Sequence, residues 1–163
     1  MQTSAWGPST WDTLHFITFN YPINPEDKDK KLYLSFFKLV TKMLPCNICA
    51  DSFKLFSKYI PLEQYLQSRY SVVYWLYFMH NLVNLKLNHP QYKFIDLILK
   101  YENLRANLNG KKIELSDEII AIHNNTIMKY QDISYKRTKK MLYKNPGNVH
   151  INQIKSNIYA IET

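Results

Sequence analysis

Three glycines in 163 residues constrain this chain more than any other feature. Sandwiches, barrels and dinucleotide folds place glycine at turns, bulges and phosphate loops, so a chain this poor in it is directed towards helices. The length suits one domain and is too short for two full ones. A globular chain of this size buries roughly 68–70% of its unfolded surface, which allows a core without metal or disulfide staples. Apolar residues make up 46% and aromatics 15% of the chain, and that excludes wholesale disorder. The longest uncharged apolar run, residues 72–79, falls far short of a membrane span. The N-terminal Met-Gln-Thr-Ser-Ala-Trp has neither the basic nor the apolar region of a signal peptide. The expectation is a soluble, intracellular, all-α protein.

Punctuation residues divide the chain. Ser9 or Thr10 can cap a first helix through Trp11, Leu14, His15, Thr18 and Phe19, which stops before Pro22. A polar loop with the charge-dense residues 26–31 leads to a second helix over 32–44, with Leu32, Phe36, Leu39, Val40 and Met43 at helical spacing and Pro45 ending it. A third starts at the cysteines and ends near Tyr59, before Pro61. Ser71 opens a strongly apolar fourth helix to Leu87, closed by Asn88-His89-Pro90. A shorter fifth covers 92–107. From Ser116, with Asp117 and Glu118 in its first turn, another helix runs to about Tyr143, before Asn145-Pro146-Gly147. No internal repeat is visible. The pattern predicts a bundle of four to five helices with an additional C-terminal helical segment.

Cys46 and Cys49 are the only cysteines, placed together in Pro45-Cys46-Asn47-Ile48-Cys49. A zinc site normally takes four ligands, and there is no second C-x-x-C and no H-x-x-x-H; the five histidines are dispersed. A structural disulfide closing so small a ring restricts the unfolded chain little. The leading reading is a dithiol that cycles between oxidised and reduced, with Cys46 at or near a helix N-terminus, where the dipole and free amides favour thiolate.

Net charge is +8, yet 18 of the 21 basic residues are Lys. Nucleic-acid readers favour Arg for its planar, bidentate fork. Abundant Lys, Asn and Ile instead reflect an A/T-rich genome, so nucleic acid is not an expected partner. The Lys136-Arg137-x-Lys139-Lys140 cluster reads as solvated first and as a docking patch second. His123 and His150 read as solvent-facing residues.

A second constellation lies in the fourth helix: Trp75, His80, Asn81, Val83, Asn84, Lys86, Leu87 and Pro90. His80 and Asn84 are one turn apart on one face, with Asn81 beside them. Gly7, Trp11 and His15 recur at four-residue steps near the start. His80 alone would read as a core histidine, and Trp75 reads equally as core and as cofactor contact; Trp6 reads as packing or a subunit contact. Taken together and in this order, with the C-x-x-C between them, these residues resemble the Erv/ALR family of FAD-linked sulfhydryl oxidases over about residues 6–92. The minimal, viral members, from large cytoplasmic DNA viruses, match its single redox pair.

That resemblance implies a four-helix bundle with a short fifth helix holding FAD over residues 1–108, and a C-terminal helical extension over 109–163 of no assigned role. It implies cofactor contacts from Gly7, Trp11, His15, Trp75, His80, Asn81, Val83, Asn84, Lys86, Leu87 and Tyr92. It implies that electrons pass from a protein dithiol substrate to the Cys46–Cys49 disulfide, then to the flavin and to molecular oxygen, giving hydrogen peroxide. Cys46 is then the sulfur attacked by substrate, and Cys49 the charge-transfer thiolate against the isoalloxazine. It further implies a homodimer acting in the host cytoplasm or a virus factory, or packaged in the virion. The sequence departs from the family at Pro8, Leu44 and His89, where an arginine, an aromatic and a lysine are common. Two other readings remain open: a flavin-free, thioredoxin-like dithiol exchanger, and a helical scaffold whose basic tail binds nucleic acid.

Overall fold

The computed structural model describes residues 2–106, 113–148, 151, 152 and 154, and the described residues contain no strand. Among the described residues six α-helices follow one another: α1 (Thr3–Phe19), α2 (Asp27–Met43), α3 (Asn47–Tyr59), α4 (Arg69–Leu87), α5 (Phe94–Ala106) and α6 (Asp117–Lys144). One 3-10 turn, Leu62–Tyr65, sits between α3 and α4. The all-α expectation holds. His150 lies outside the described residues, as does most of the chain beyond Asn148.

Three helices, α1, α2 and α4, begin earlier than their sequence signals. α1 starts at Thr3 rather than at a cap on Ser9 or Thr10, and Pro8 lies inside it. Pro8 falls just beyond the first turn, so the helix forgoes one hydrogen bond near an end where several donors are unpaired in any case. α2 starts at Asp27, so the charged stretch expected as a loop is its first turn. The Glu26 amide donates to Asp29 Oδ2 at 2.9 Å, and acidic side chains at this end oppose the helix dipole.

The buried face of α2 is also rotated from the expected one. Leu32, Leu39 and Met43 are solvent-exposed, and Tyr33 and Phe37 are buried instead. Tyr33 donates its hydroxyl to the Ile17 carbonyl at 2.9 Å and packs edge-on against Tyr21. Phe37 sits edge-on to Trp75 with ring centroids 4.8 Å apart. Both ridges are apolar, and the partners on α1 and α4 decide which one faces inwards.

α4 is the central helix, burying thirteen of its nineteen residues. Its start is capped by Ser68, whose Oγ accepts from the Ser71 amide, so Ser71 lies inside the first turn rather than opening the helix. Its end is set by Asn88 in the left-handed conformation, φ 55°, with the His89 amide donating to the Asn84 carbonyl at 2.8 Å. α1, α3, α5 and α6 all pack on it.

α6 lies along α4 and α5 and reaches α3. The Tyr130 hydroxyl lies 2.9 Å from both Gln67 Oε1 and Ser71 Oγ, and Tyr65 and Ser134 share a hydrogen bond of 2.8 Å. Arg137, from the basic cluster, donates to the Tyr59 carbonyl at 3.1 Å. His123 is half-buried on α6, its ring 5.8 Å from that of Phe94. No helix among the described residues is long and apolar enough to cross a membrane.

Candidate active site

Pro45 sets up the first element of the site. It cannot continue α2, and it holds the preceding Leu44 extended at φ −59°, ψ 130°. The chain then turns directly into α3 with Cys46 as its N-cap. Cys46 and Cys49 are joined by a disulfide, and Cys46 Sγ accepts a hydrogen bond from the Cys49 amide at 3.2 Å. Both sulfurs therefore lie at the positive end of a helix dipole, as their position in the sequence predicts.

The second element is a ring cluster where α1, α4 and α5 meet. Trp11 and His15 are one turn apart on α1 and both face α4. Trp11 stacks on His80, centroids 3.9 Å apart and planes 3° from parallel. His15 Nε2 and His80 Nδ1 are 3.1 Å apart, one donating and the other accepting. Tyr101 of α5 covers the other side of His15 at 4.9 Å. Burial in this setting pushes His15 down to about 3, with the neighbouring His80 adding to the effect, and burial pushes His80 down to about 4. Both imidazoles are neutral at pH 7. His15 Nδ1 is buried with no hydrogen-bond partner among the described residues, as is Trp6 Nε1.

Phe53 connects the two elements. It lies one turn beyond Cys49 on α3, and its ring is 6.5 Å from that of Trp11. Ser52, beside it, accepts from Lys86 Nζ of α4 at 2.7 Å. Partial burial lowers the pKa of Lys86 from the ordinary lysine value. The disulfide end of α3 is thus tied to both α1 and α4.

The remaining expected residues fall into four places. Asn81 clasps the chain after α4: its Nδ2 donates to the Tyr92 carbonyl at 3.0 Å, and the Tyr92 amide donates to its Oδ1 at 2.9 Å. This holds the Tyr92 ring edge-on to His80 at 5.0 Å. Asn84 is buried near the end of α4. Gly7, Val83 and Leu87 lie at the margins; a Cβ at Gly7 would meet nothing within 4 Å, and Leu87 is exposed. Trp75 lies in the core, its indole N–H donating to the Ile60 carbonyl at 2.8 Å and its ring edge-on to Phe53.

Sequence reasoning missed Asp12, Lys100, Tyr101 and Phe53. Tyr101 donates its hydroxyl to Asp12, and Lys100 Nζ lies 2.9 Å from the same carboxylate. The Tyr101 hydrogen bond, together with Lys100, holds Asp12 below the usual carboxylate range, while burial and Asp12 push Tyr101 up. Asp12 carried a signal, since it sits between Trp11 and His15. Tyr101 carried none, because only the packing of α5 on α1 brings it there.

The Erv1 / Alr family profile matches residues 8–102, which span α1 to α5 and leave α6 outside. A protein of Acanthamoeba polyphaga mimivirus named "Probable FAD-linked sulfhydryl oxidase" is 35% identical over 85 residues, 52% of this chain and 59% of that protein. The mitochondrial FAD-linked sulfhydryl oxidase ERV1 of Saccharomyces cerevisiae is 36% identical over 87 residues, 53% of this chain and 44% of that protein. The crystal structure of the yeast Erv1 core superposes with a TM-score of 0.60 at 26% identity, covering 63% of this chain and 86% of that one. The chain therefore spans about half the length of the curated relatives it matches. With the disulfide at the head of α3 and the Trp11–His15–His80 cluster beside it, the chain belongs to the Erv1 / Alr family.

Proposed function

We propose that this chain is an FAD-dependent sulfhydryl oxidase that forms disulfides in protein substrates. The observation that carries the reading is the connection, through Phe53, of a disulfide at a helix N-terminus to a stacked aromatic–imidazole cluster. The residues fit a large, flat, anionic group. Trp11 and His80 stack on each other and leave one outer ring face each, His15 Nδ1 is a buried polar atom in want of a partner, and Lys86 is a half-buried cation on α4, the helix of His80. Trp11, His15, His80, Asn81, Asn84, Lys86 and Tyr92 would hold FAD, with Gly7, Val83 and Leu87 at its edge and Trp75 as the floor beneath Phe53. When bound, FAD would supply the two-electron acceptor for the dithiol and the redox link to oxygen, with hydrogen peroxide as the product.

The protein's own steps follow from the N-cap geometry. A substrate thiolate attacks Cys46 Sγ; the Cys46–Cys49 bond breaks and Cys49 leaves as a thiolate at the positive end of α3. The second substrate thiolate attacks the substrate sulfur of the mixed disulfide. The substrate disulfide forms and Cys46 leaves as a thiolate, which the Cys49 amide is placed to stabilise. Two electrons have then moved from substrate to the Cys46–Cys49 pair. The neutral His15–His80 pair offers a proton acceptor that burial makes weak, so the cluster binds rather than titrates near neutrality.

The same reading makes residues 1–108 the cofactor-bearing unit and 109–163 a C-terminal helical extension, of which α6 packs on α3, α4 and α5, in a homodimer of viral origin acting in the host cytoplasm or a virus factory, or packaged in the virion. The test is optical. Purified protein should be yellow, bleach under excess dithiothreitol, recover in air and release peroxide. A protein that stays colourless and inert after incubation with FAD would overturn the reading.

A further inference from the structure

α2 and α3 form a hairpin around Pro45, and a groove of about 210 Å3 runs between them away from the disulfide. Its floor is apolar: Phe37, Leu62 and Trp75. Its walls carry Lys38, Lys54 and Lys58 against a single carboxylate, Glu63. Lys38 and Glu63 are 4.0 Å apart with both side chains largely exposed, a contact that neutralises little. Lys54 has no ion-pair partner among the described residues. Ser57, which also lines the groove, has a buried Oγ with no hydrogen-bond partner there. Apart from Trp75, which also backs Phe53, none of these residues belongs to the cofactor cluster.

We propose that this groove docks an extended, acidic segment of the protein dithiol substrate, with one apolar side chain on the Phe37–Leu62–Trp75 floor and acidic side chains on Lys54 and Lys58. The proposal rests on the sulfhydryl oxidase reading. Charge complementarity selects an acidic occupant, and the apolar floor selects a peptide over a bare polyanion. Helix geometry sets the register. Ser57 lies eight residues beyond Cys49, about 12 Å along α3 at 1.5 Å per residue. An extended peptide advances about 3.3 Å per residue, so the anchor lies about three to four residues from the cysteine that attacks Cys46.

Two peptides test this, each with a Cys-x-x-Cys dithiol followed about four residues on by Leu-Glu-Glu or by Leu-Lys-Lys. Cysteine-free, fluorescein-labelled versions are titrated with the flavin-loaded protein and read by anisotropy, so docking is measured apart from turnover. The acidic peptide should bind about ten-fold tighter, as two exposed ion pairs allow, and should be oxidised with a kcat/KM higher by the same factor. Lys54→Glu/Lys58→Glu should abolish both preferences and leave dithiothreitol oxidation unchanged. Lys136→Glu/Lys140→Glu, which changes net charge equally on α6, should keep them. Equal binding of the two peptides, loss of preference in the α6 variant, or a single-stranded oligonucleotide that binds as tightly as the acidic peptide would each overturn the docking proposal. Failure to oxidise dithiothreitol would instead overturn the oxidase reading, and the anisotropy preference would still decide the groove.

Discussion

Two residue pairs carry most of what can be tested atom by atom. Cys46→Ser and Cys49→Ser should each abolish thiol-dependent oxygen uptake on an oxygen electrode. Their thermal midpoints should stay within a few degrees of wild type, because a ring this short constrains the unfolded chain little. The His15–His80 pair makes stability fall on acidification. Both groups titrate lower in the folded state than in the unfolded chain, where they take up protons near pH 6.5. Between about pH 6.5 and 4 the unfolded state binds more protons, so stability declines as pH drops through that window. Each histidine contributes about 2 kcal/mol of loss by pH 5, at 1.36 kcal/mol per pH unit. Urea midpoints at pH 7 and pH 5 measure the loss, and His80→Phe, which keeps a ring under Trp11, should roughly halve it.

At the scale of elements, the Asn81 clasp is the joint between α4 and α5. Asn81→Ala removes two hydrogen bonds and leaves the Tyr92 backbone groups to water; it should cost about 1–3 kcal/mol in urea unfolding and speed exchange of the Tyr92 amide. Element existence was legible because it rests on local rules. Cys46 as the N-cap of α3, Ser116 as the N-cap of α6 and the stop at Asn88 all follow from side chains acting on neighbouring backbone. What was not legible depends on distant partners. Tyr33 and Phe37 face inwards because Tyr21, Ile17 and Trp75 receive them, and nothing within α2 distinguishes that ridge from Leu32, Leu39 and Met43. The site divides in the same way. Trp11, His15 and His80 were found as a pattern, whereas Phe53 and Tyr101 enter through helix packing that the pattern does not encode.

Over the whole molecule, α6 changes what the family segment needs in order to be stable. Tyr130, Ser134, Thr138, Met141 and Leu142 are buried, and they cover Tyr65, Tyr74 and Ser71. A chain ending at residue 112 should expose that aromatic surface. It should bind a hydrophobic dye and unfold at a lower urea concentration than the full chain, at about 1.5–3 kcal/mol for each large side chain uncovered. Tyr130→Phe, which keeps the packing and removes the hydroxyl shared with Gln67 and Ser71, should cost about 1 kcal/mol. The position of Tyr130 also sets a timetable for synthesis. Its partners Gln67 and Ser71 leave the ribosome some sixty residues earlier. At roughly 5–20 residues per second, the tyrosine-rich face of α4 waits about 3–12 seconds for its cover. Through that interval it is a client for any holdase in the compartment, and the native fold closes only after most of the chain has emerged.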